Sequence, residues 1–172
     1  MIFVLCCKHY LYIMIKVLFV CLGNICRSPL AEGLFLHKVQ AQGLENRFKI
    51  DSCGTGGWHV GNLPDPRSQE VATHYGVDLP SRARKLQLED FKIYDYILAM
   101  DRSNRRDLEE KMINVDKAKA QIFLMRDFDS QGKGHDVPDP YYGGSNGFYD
   151  VYDMLDRSSE ALLDYIKQQH NI

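Results

Sequence analysis

The feature that most constrains the fold of this chain is a strand that runs directly into a loop and a helix. Residues 13–20 form a nearly unbroken apolar run rich in β-branched side chains, which is typical of a strand buried on both faces. The loop 21–27 follows, and Ser28-Pro29 is typical of a helix N-cap with proline at the first helical position; Gly43 is expected to end that helix. A buried strand joined to a helix in this way favours an α/β fold.

The alternation of strand and helix continues to the end of the chain. It predicts further strands at residues 48–52, 94–100 and 120–124, and helices at 66–75, from a cap at Asp101 to about 113, and from Phe148 onward. We therefore expect a single domain with one parallel sheet and helices on both faces. Ligands of such sheets bind beyond the carboxyl ends of the strands, where Cys21, Ser52, Asp101 and the long loop 127–147 should converge.

The first thirteen residues differ from the rest of the chain. They are apolar but are interrupted by Lys8 and His9, and the run is too short to span a bilayer. They also lack the basic start and the small-residue cleavage site of a secretory signal. We interpret residues 1–13 as an extension before a domain of residues 14–172, with acylation of Cys6 and Cys7 at a membrane as the alternative.

Charge and cysteine content narrow the class of protein. The formal net charge is −2, so no basic excess attracts nucleic acid or anionic lipid. Five cysteines at irregular spacing make a poor disulfide framework and suit a reducing compartment, so we expect a cytoplasmic protein. No group of Cys and His has the spacing of a zinc site, so no metal is expected. A monomer is the default expectation.

The segment 21–28, Cys-Leu-Gly-Asn-Ile-Cys-Arg-Ser, has the character of an anion-binding loop. Its backbone N–H groups and the following helix N-terminus can surround a phosphate, and Gly23 and Asn24 tolerate the positive φ that such a curve requires. Arg27 offers a planar fork for two phosphate oxygens. The same positive field favours a thiolate, so we expect Cys21 to be ionised at neutral pH and nucleophilic. A structural cysteine beside an ordinary loop is the alternative interpretation.

Several motifs in order along the chain resemble one family. VCLGNICRSP, then Asp51-Ser52, Trp58, Asp65-Pro66-Arg67 and Asp139-Pro140-Tyr141-Tyr142 are similar to the active-site motifs of the low-molecular-weight protein tyrosine phosphatases. The resemblance extends from about Met14 through most of the chain. It implies a four-stranded parallel sheet of flavodoxin-like topology and a phosphomonoesterase that needs no metal or organic cofactor.

The resemblance also implies a role for each residue of the loop. Cys21 would be the nucleophile that forms a cysteinyl phosphate, and Arg27 would bind the phosphate together with the loop residues Leu22, Gly23, Asn24, Ile25 and Cys26. Ser28 would hydrogen-bond the thiolate, while Asn24 and Ser52 hold the shape of the loop. A histidine that often completes this network in animal members is replaced here, around Ser81.

The general acid and the pocket walls are further implications. Both Asp136 and Asp139 lie in a suitable loop, and composition does not separate them; the family motif favours Asp139. Trp58 and Tyr141 would form a slot for an aryl ring, with Tyr142, Ile25 and His59 beside it. Related arginine phosphatases tend to have threonine at the position of Ile25, so isoleucine favours phosphotyrosine.

Regulation and partners follow from the same resemblance. Tyrosine-phosphorylated proteins would be the substrates. Tyr141 and Tyr142 are kinase targets in family members, which implies a tyrosine kinase as a partner. Cys26, five positions from Cys21, is expected to protect the nucleophile by forming a disulfide with it after oxidation.

Two other functions are considered. An arsenate reductase of similar fold needs two further redox cysteines, but only Cys53 follows Cys26. A catalytically silent phosphate-binding module would lack Cys21, Arg27 or Asp139, and all three are present.

Overall fold

The core of the structure is a sheet of four parallel strands. The computed structural model describes residues 14–142 and 146–172. The strands are β1 (Ile15–Cys21), β2 (Phe48–Gly54), β3 (Tyr96–Ala99) and β4 (Gln121–Leu124). Their order across the sheet is β2-β1-β3-β4, and every neighbouring pair is parallel. The predicted α/β fold is therefore confirmed, and the order reverses at the central strand β1, which is where ligands of such sheets bind.

Five α-helices pack on the sheet within the described residues. They are α1 (Arg27–Ala41), α2 (Pro66–His74), α3 (Asp90–Ile93), α4 (Arg102–Met112) and α5 (Gly147–His170). Successive side chains of β1 point to opposite faces, so Val17 and Phe19 pack in a core with α1 and α5. Leu18 and Val20 pack on the other face in a second core that includes Leu108 of α4. Burial on both faces explains why β1 has an almost wholly apolar sequence.

The prediction of Ser28 as a helix N-cap is wrong. Helix α1 begins at Arg27, and Cys26 is the preceding residue. The Ser28 hydroxyl accepts a hydrogen bond from the Asn24 side chain and lies 3.0 Å from Cys21 Sγ, so it is not available to cap the helix. Pro29 is instead the third residue of the helix, where it is tolerated because N–H groups in the first turn have no partner within the helix.

Two other predicted helix starts agree with the structure. Asp65 caps α2 by accepting a hydrogen bond from the Arg67 backbone N–H at 2.9 Å, with Pro66 at the first helical position. Asp101 caps α4 by accepting from the Asn104 N–H at 2.7 Å. Sequence patterns did not predict α3 or the short 3₁₀ helices Glu45–Arg47, Met125–Phe128 and Pro140–Tyr142.

The N-terminal extension lies outside the described residues, and so do the proposals made for Cys6 and Cys7. Across 14–142 and 146–172, no helix combines the length and apolar character needed to cross a bilayer.

Candidate active site

The loop between β1 and α1 curls around the sulfur of Cys21. Cys21 ends β1 in register with Gly54 and is only 3 % exposed. Its Sγ accepts a hydrogen bond from the Asn24 backbone N–H at 3.2 Å and lies 3.0 Å from Ser28 Oγ. Two polar hydrogens are therefore available to this one sulfur, an arrangement that stabilises negative charge on it.

The curve of the loop depends on one residue in the left-handed region. Asn24 has φ 56°, whereas Gly23 does not have positive φ. Gly23 meets a different need, because a Cβ there would lie 3.1 Å from the ring of His59. The expectation that both residues would supply positive φ is thus correct only for Asn24.

The Asn24 side chain connects the loop to three other parts of the chain. Its Nδ2 donates to Ser28 Oγ at 2.9 Å and to Ser52 Oγ at 2.8 Å. Its Oδ1 accepts from the Arg84 backbone N–H at 2.9 Å. All three hydrogen bonds are made in a buried environment, so they stabilise the strained left-handed backbone conformation of Asn24.

Beyond Ser52 the network ends on a carboxylate that sequence patterns did not reveal. Ser52 Oγ and Ser81 Oγ both donate to Glu32 Oε2 at 2.6 Å. Ser81, around which the replacement of a histidine was predicted, therefore joins the network through Glu32. Burial raises the pKa of Glu32, and the hydrogen bonds from the two serines oppose that rise. The available signal was spacing: Glu32 follows Ser28 by four residues on α1, so the two share a helix face.

Arg27 contacts the segments that follow two other strands, β3 and β4. It is 4 % exposed, and Nη1 contacts Asp101 Oδ2 at 2.6 Å and donates to the Val137 carbonyl at 3.0 Å. Burial disfavours the guanidinium charge, but the charge of Cys21 and the hydrogen bond to Asp101 outweigh burial and raise the pKa of Arg27. The fork is thus oriented at the carboxyl end of β3, beside the sulfur.

The structure separates the two candidate acids. Asp139 lies on the cleft that contains Cys21, with Oδ2 3.4 Å from Arg27 Nη2 and Oδ1 accepting from the Tyr141 N–H at 3.1 Å. Asp136 instead accepts a hydrogen bond from the Arg102 backbone N–H at 3.0 Å, at the start of α4. Only Asp139 lines the cleft above the sulfur.

That cleft has a volume of about 300 Å³. Its lining includes most of the residues singled out in the sequence: Cys21, Leu22, Gly23, Ile25, Cys26, Arg27, Trp58, His59, Asp139 and Tyr141. Trp58 is 71 % exposed and lies so close over Gly56 that any side chain there would collide with its ring. The Arg67 guanidinium lies 5.2 Å from the ring centre of Tyr141. The side chain of Tyr142 lies outside the part of the chain that the structure describes.

The remaining thiols near the site are buried. Burial, and then the charges of Asp65 and Cys21, raise the pKa of Cys26 to about 12. Cys53 is fully buried at the end of β2, and burial raises the pKa of its thiol too. Neither is therefore an ionised nucleophile at neutral pH. Among the described residues, no group of three or more His, Cys, Asp or Glu side chains is placed to hold a metal ion.

Comparisons with known proteins agree with this geometry. Residues 16–171 match the family model described as low molecular weight phosphotyrosine protein phosphatase. A protein of that name from Schizosaccharomyces pombe is 51 % identical over 153 residues, which cover 88 % of this chain and 97 % of that protein.

Solved structures show the same likeness. A protein tyrosine phosphatase from Entamoeba histolytica superposes with a TM-score of 0.84 at 41 % identity, covering 90 % of this chain and 98 % of that one. A drosophila arginine phosphatase gives 0.83 at 33 % identity, with 89 % and 98 % covered. Because the family model spans nearly the whole sequence, the chain belongs to the low molecular weight phosphotyrosine protein phosphatase family.

Proposed function

We propose that this protein hydrolyses phosphotyrosine in proteins, and small aryl phosphates, through a cysteinyl-phosphate intermediate. The observation that carries the proposal is the surrounding of Cys21 Sγ: two hydrogen-bond donors behind it, and Arg27 and Asp139 on the cleft in front of it. A buried cysteine with a structural role would not require an arginine and a carboxylate on the cleft beside its sulfur.

In the first step the Cys21 thiolate attacks phosphorus and the bond from phosphorus to the aryl oxygen breaks. The Arg27 fork and the backbone N–H groups of residues 22–27 bind the oxygens of the transferring group. Asp139 donates a proton to the leaving phenolate, which otherwise departs slowly. The products of this step are a neutral phenol and phosphate bound to sulfur.

In the second step a water molecule attacks the phosphocysteine. Asp139, now ionised, accepts the proton of that water, and the bond from sulfur to phosphorus breaks to release inorganic phosphate and the thiolate. Ser28 Oγ, 3.0 Å from the sulfur, stabilises the departing thiolate. The same serine and Asn24 N–H thus serve Cys21 both as attacking and as leaving group.

The walls of the cleft support an aryl substrate. The aromatic side chains of Trp58 and Tyr141 and the apolar side chain of Ile25 all line this cleft. A flat ring gains contact on both sides in such a slot, whereas a short phosphoserine does not reach the walls while its phosphate lies in the loop. Tyrosine-phosphorylated proteins are therefore the proposed substrates, which makes a tyrosine kinase the class of enzyme that supplies them. We further propose a monomer that acts in the cytoplasm.

A phosphoarginine hydrolase is the second candidate, because a drosophila arginine phosphatase shares the fold closely. Ile25 argues against it, since its apolar side chain offers no hydrogen-bond partner to a guanidinium group. The test is hydrolysis of one peptide sequence carrying either phosphotyrosine or phosphoarginine. We expect kcat/KM to be higher for phosphotyrosine. Preference for phosphoarginine would overturn the substrate assignment, and no hydrolysis of either peptide would favour a binding module.

A further inference from the structure

A buried charged cluster lies next to residues 130–139, the acid loop, which carries Asp139. The proposed mechanism does not use this cluster. Its centre is Asp129, which is 1 % exposed. Asp129 accepts hydrogen bonds from Arg126 Nε at 2.9 Å, Arg157 Nε at 3.1 Å and the Gln131 N–H at 3.0 Å. Burial alone would raise the pKa of Asp129, but the hydrogen bonds from Arg157, the Gln131 N–H and Arg126 together lower it.

The two arginines of this cluster have different further contacts. Arg157 belongs to α5, and its Nε and Nη2 both donate to the Asp129 carboxylate. Arg126 belongs to the 3₁₀ helix after β4, and besides Asp129 it contacts two residues of the acid loop. Its Nη1 donates to the Asp136 carbonyl at 3.2 Å, and its own carbonyl accepts from the Gly134 N–H at 3.0 Å.

The loop has also been shaped to admit this guanidinium group. Gly132 is buried, and a Cβ on it would lie 1.7 Å from Arg126 Nη2 and 2.4 Å from Cζ. The backbone of Gly132 does not have positive φ, so the absence of a side chain serves space rather than conformation. Only glycine lets the guanidinium group pack flat against the loop.

Residues 129–139 contain no helix or strand, and Val137 is their only buried apolar side chain. The position of the loop therefore depends on polar contacts. On the side of the cleft these are Arg27 to the Val137 carbonyl, and the Val137 N–H to the Met100 carbonyl. On the opposite side, Arg126 donates to the Asp136 carbonyl, three residues before Asp139. Arg102 of α4 also contacts this part of the loop, through the Asp136 carboxylate and the Gly134 carbonyl.

We infer that Arg126 is a positioning residue for the general acid, acting through the backbone of Asp136 and through Gly132. The inference rests on the proposed role of Asp139. A carboxylic acid must lie within hydrogen-bond reach of the leaving oxygen to protonate it, and small displacements of a catalytic group are costly. Loss of Arg126 removes the hydrogen bond to the Asp136 carbonyl and displaces Asp139. The phosphate loop, residues 21–28, is not contacted by Arg126 and is unaffected.

The test compares kcat/KM for two esters, because that ratio reports the first chemical step. Phenyl phosphate has a poor leaving group that needs the acid, and p-nitrophenyl phosphate has a good one that hardly does. For Arg126→Ala we expect a loss of roughly tenfold with phenyl phosphate and less than about threefold with p-nitrophenyl phosphate, a fraction of the ~10²–10⁴-fold that a general acid supplies. Inhibition by inorganic phosphate should not change.

Arg157→Ala is the matched control, since it removes the other arginine from Asp129 but breaks no hydrogen bond to residues 130–139. It should lower the melting temperature and reduce both rates by the same factor. Gly132→Ala retains every charge but fills the space of the guanidinium group, so it should reproduce the selective loss in weaker form. Added to Arg126→Ala, it should cost nothing further. It also keeps the test decisive if Arg126→Ala does not fold.

An equal effect of Arg126→Ala on both esters would show that the cluster acts only on stability. The same selectivity from Arg157→Ala would show that the contacts of Arg126 to the loop are not what positions Asp139. Either result would overturn the inference. Asp139→Asn separates this failure from failure of the proposed function. If Asp139→Asn is selective for phenyl phosphate and Arg126→Ala is not, only the inference fails. If wild-type protein hydrolyses neither ester, the proposed function fails and the inference with it.

Discussion

The phosphate loop and the acid loop meet at one cleft but are held in opposite ways. Asn24, Ser28 and Ser52, around the phosphate loop, are all almost completely buried and hydrogen-bonded to one another. In the acid loop the side chain of Asp139 is 41 % exposed, and its contact to Arg27 is long at 3.4 Å. The phosphate loop is fixed by hydrogen bonds among buried side chains, whereas the acid loop is held by contacts to neighbouring segments. This suits a rigid nucleophile and an acid that must serve first as donor and then as acceptor.

The sharpest way to test the rigid region is to remove its nucleophile. Cys21→Ser should abolish turnover, because an alcohol is not ionised by the surroundings that favour a thiolate. The variant should still bind inorganic phosphate, since the loop N–H groups and Arg27 remain. Steady-state hydrolysis and phosphate titration measure the two properties separately. Turnover within about tenfold of wild type would contradict the covalent mechanism, because nucleophile activation underlies the rate.

Removal of the acid should affect one class of substrate more than another. Asp139→Asn should lower kcat/KM for phenyl phosphate by about 10²–10⁴-fold and leave p-nitrophenyl phosphate much less affected. Asp136→Asn is the control, because Asp136 contacts Arg102 and does not line the cleft with the sulfur. Equal losses for the two esters in Asp139→Asn would make Asp139 structural, and selectivity in Asp136→Asn would exchange the two roles.

A smaller effect is expected at the carboxylate that ends the network. Glu32→Ala removes the acceptor of both serines and leaves the donor hydrogen of the buried Ser52 hydroxyl without a partner, at a cost of about 1–3 kcal/mol. Because the phosphate loop serves both esters, kcat/KM for phenyl and p-nitrophenyl phosphate should fall together by roughly tenfold. A fall confined to phenyl phosphate would show that Glu32 acts on the acid loop instead.

Glu32→Gln separates shape from charge, because its amide oxygen can still accept from both serines. Burial raises the pKa of Glu32 in the folded protein, so the folded state favours the neutral acid. Its stabilising contribution is then present at low pH and is lost as pH rises from the unfolded value of about 4.3 through the raised folded pKa. Melting temperatures should therefore be similar for wild type and Glu32→Gln near pH 4, with the glutamine variant gaining relative stability toward neutral pH. The opposite trend would contradict the raised pKa.

The smallest change in basal activity is expected at Cys26. Peroxide should convert the Cys21 thiolate first to a sulfenic acid, and Cys26 should then condense with it to give a disulfide and water. The raised pKa of Cys26 keeps it a thiol and leaves Cys21 as the site of first attack. Cys26→Ser should retain its initial rate but recover poorly when a thiol reductant follows peroxide. Full recovery, or the absence of a crosslinked Cys21–Cys26 peptide in wild type, would exclude the protective role.

The parts of the fold that were predictable are those encoded locally. The apolar run before Cys21, the helix that starts at Pro66 and the cap at Asp101 can each be recognised from a few neighbouring residues. The resemblance to one family connected the motifs. The cap prediction for Ser28 was wrong because a serine that precedes proline is read as a cap unless its hydroxyl is known to be engaged elsewhere.

The contacts that complete the site join residues far apart in the chain. Arg27 meets Asp101 74 positions later, and Ser81 meets Glu32 49 positions earlier. Nothing near Glu32 in the sequence shows that two serine hydroxyl groups will reach it. The same is true of Arg126, whose importance appears only when Gly132 and the Asp136 carbonyl are seen against its guanidinium group.

The position of Cys21 at the end of the central strand has a consequence for how the protein opens. Its strand is hydrogen-bonded on both sides, to β2 as far as Gly54 and to β3, and the Cys21 carbonyl accepts from the Thr55 N–H at 3.0 Å. Amide hydrogens of such a strand exchange with solvent only when the whole domain unfolds, whereas a loop held by a few polar contacts opens in local fluctuations. We therefore expect Cys21 to belong to the slowest-exchanging unit of the protein and Asp139 to a faster-exchanging one. Under the proposed mechanism, molecules with an open acid loop should keep an intact phosphate loop and should accumulate as phosphoenzyme when the incoming ester has a good leaving group.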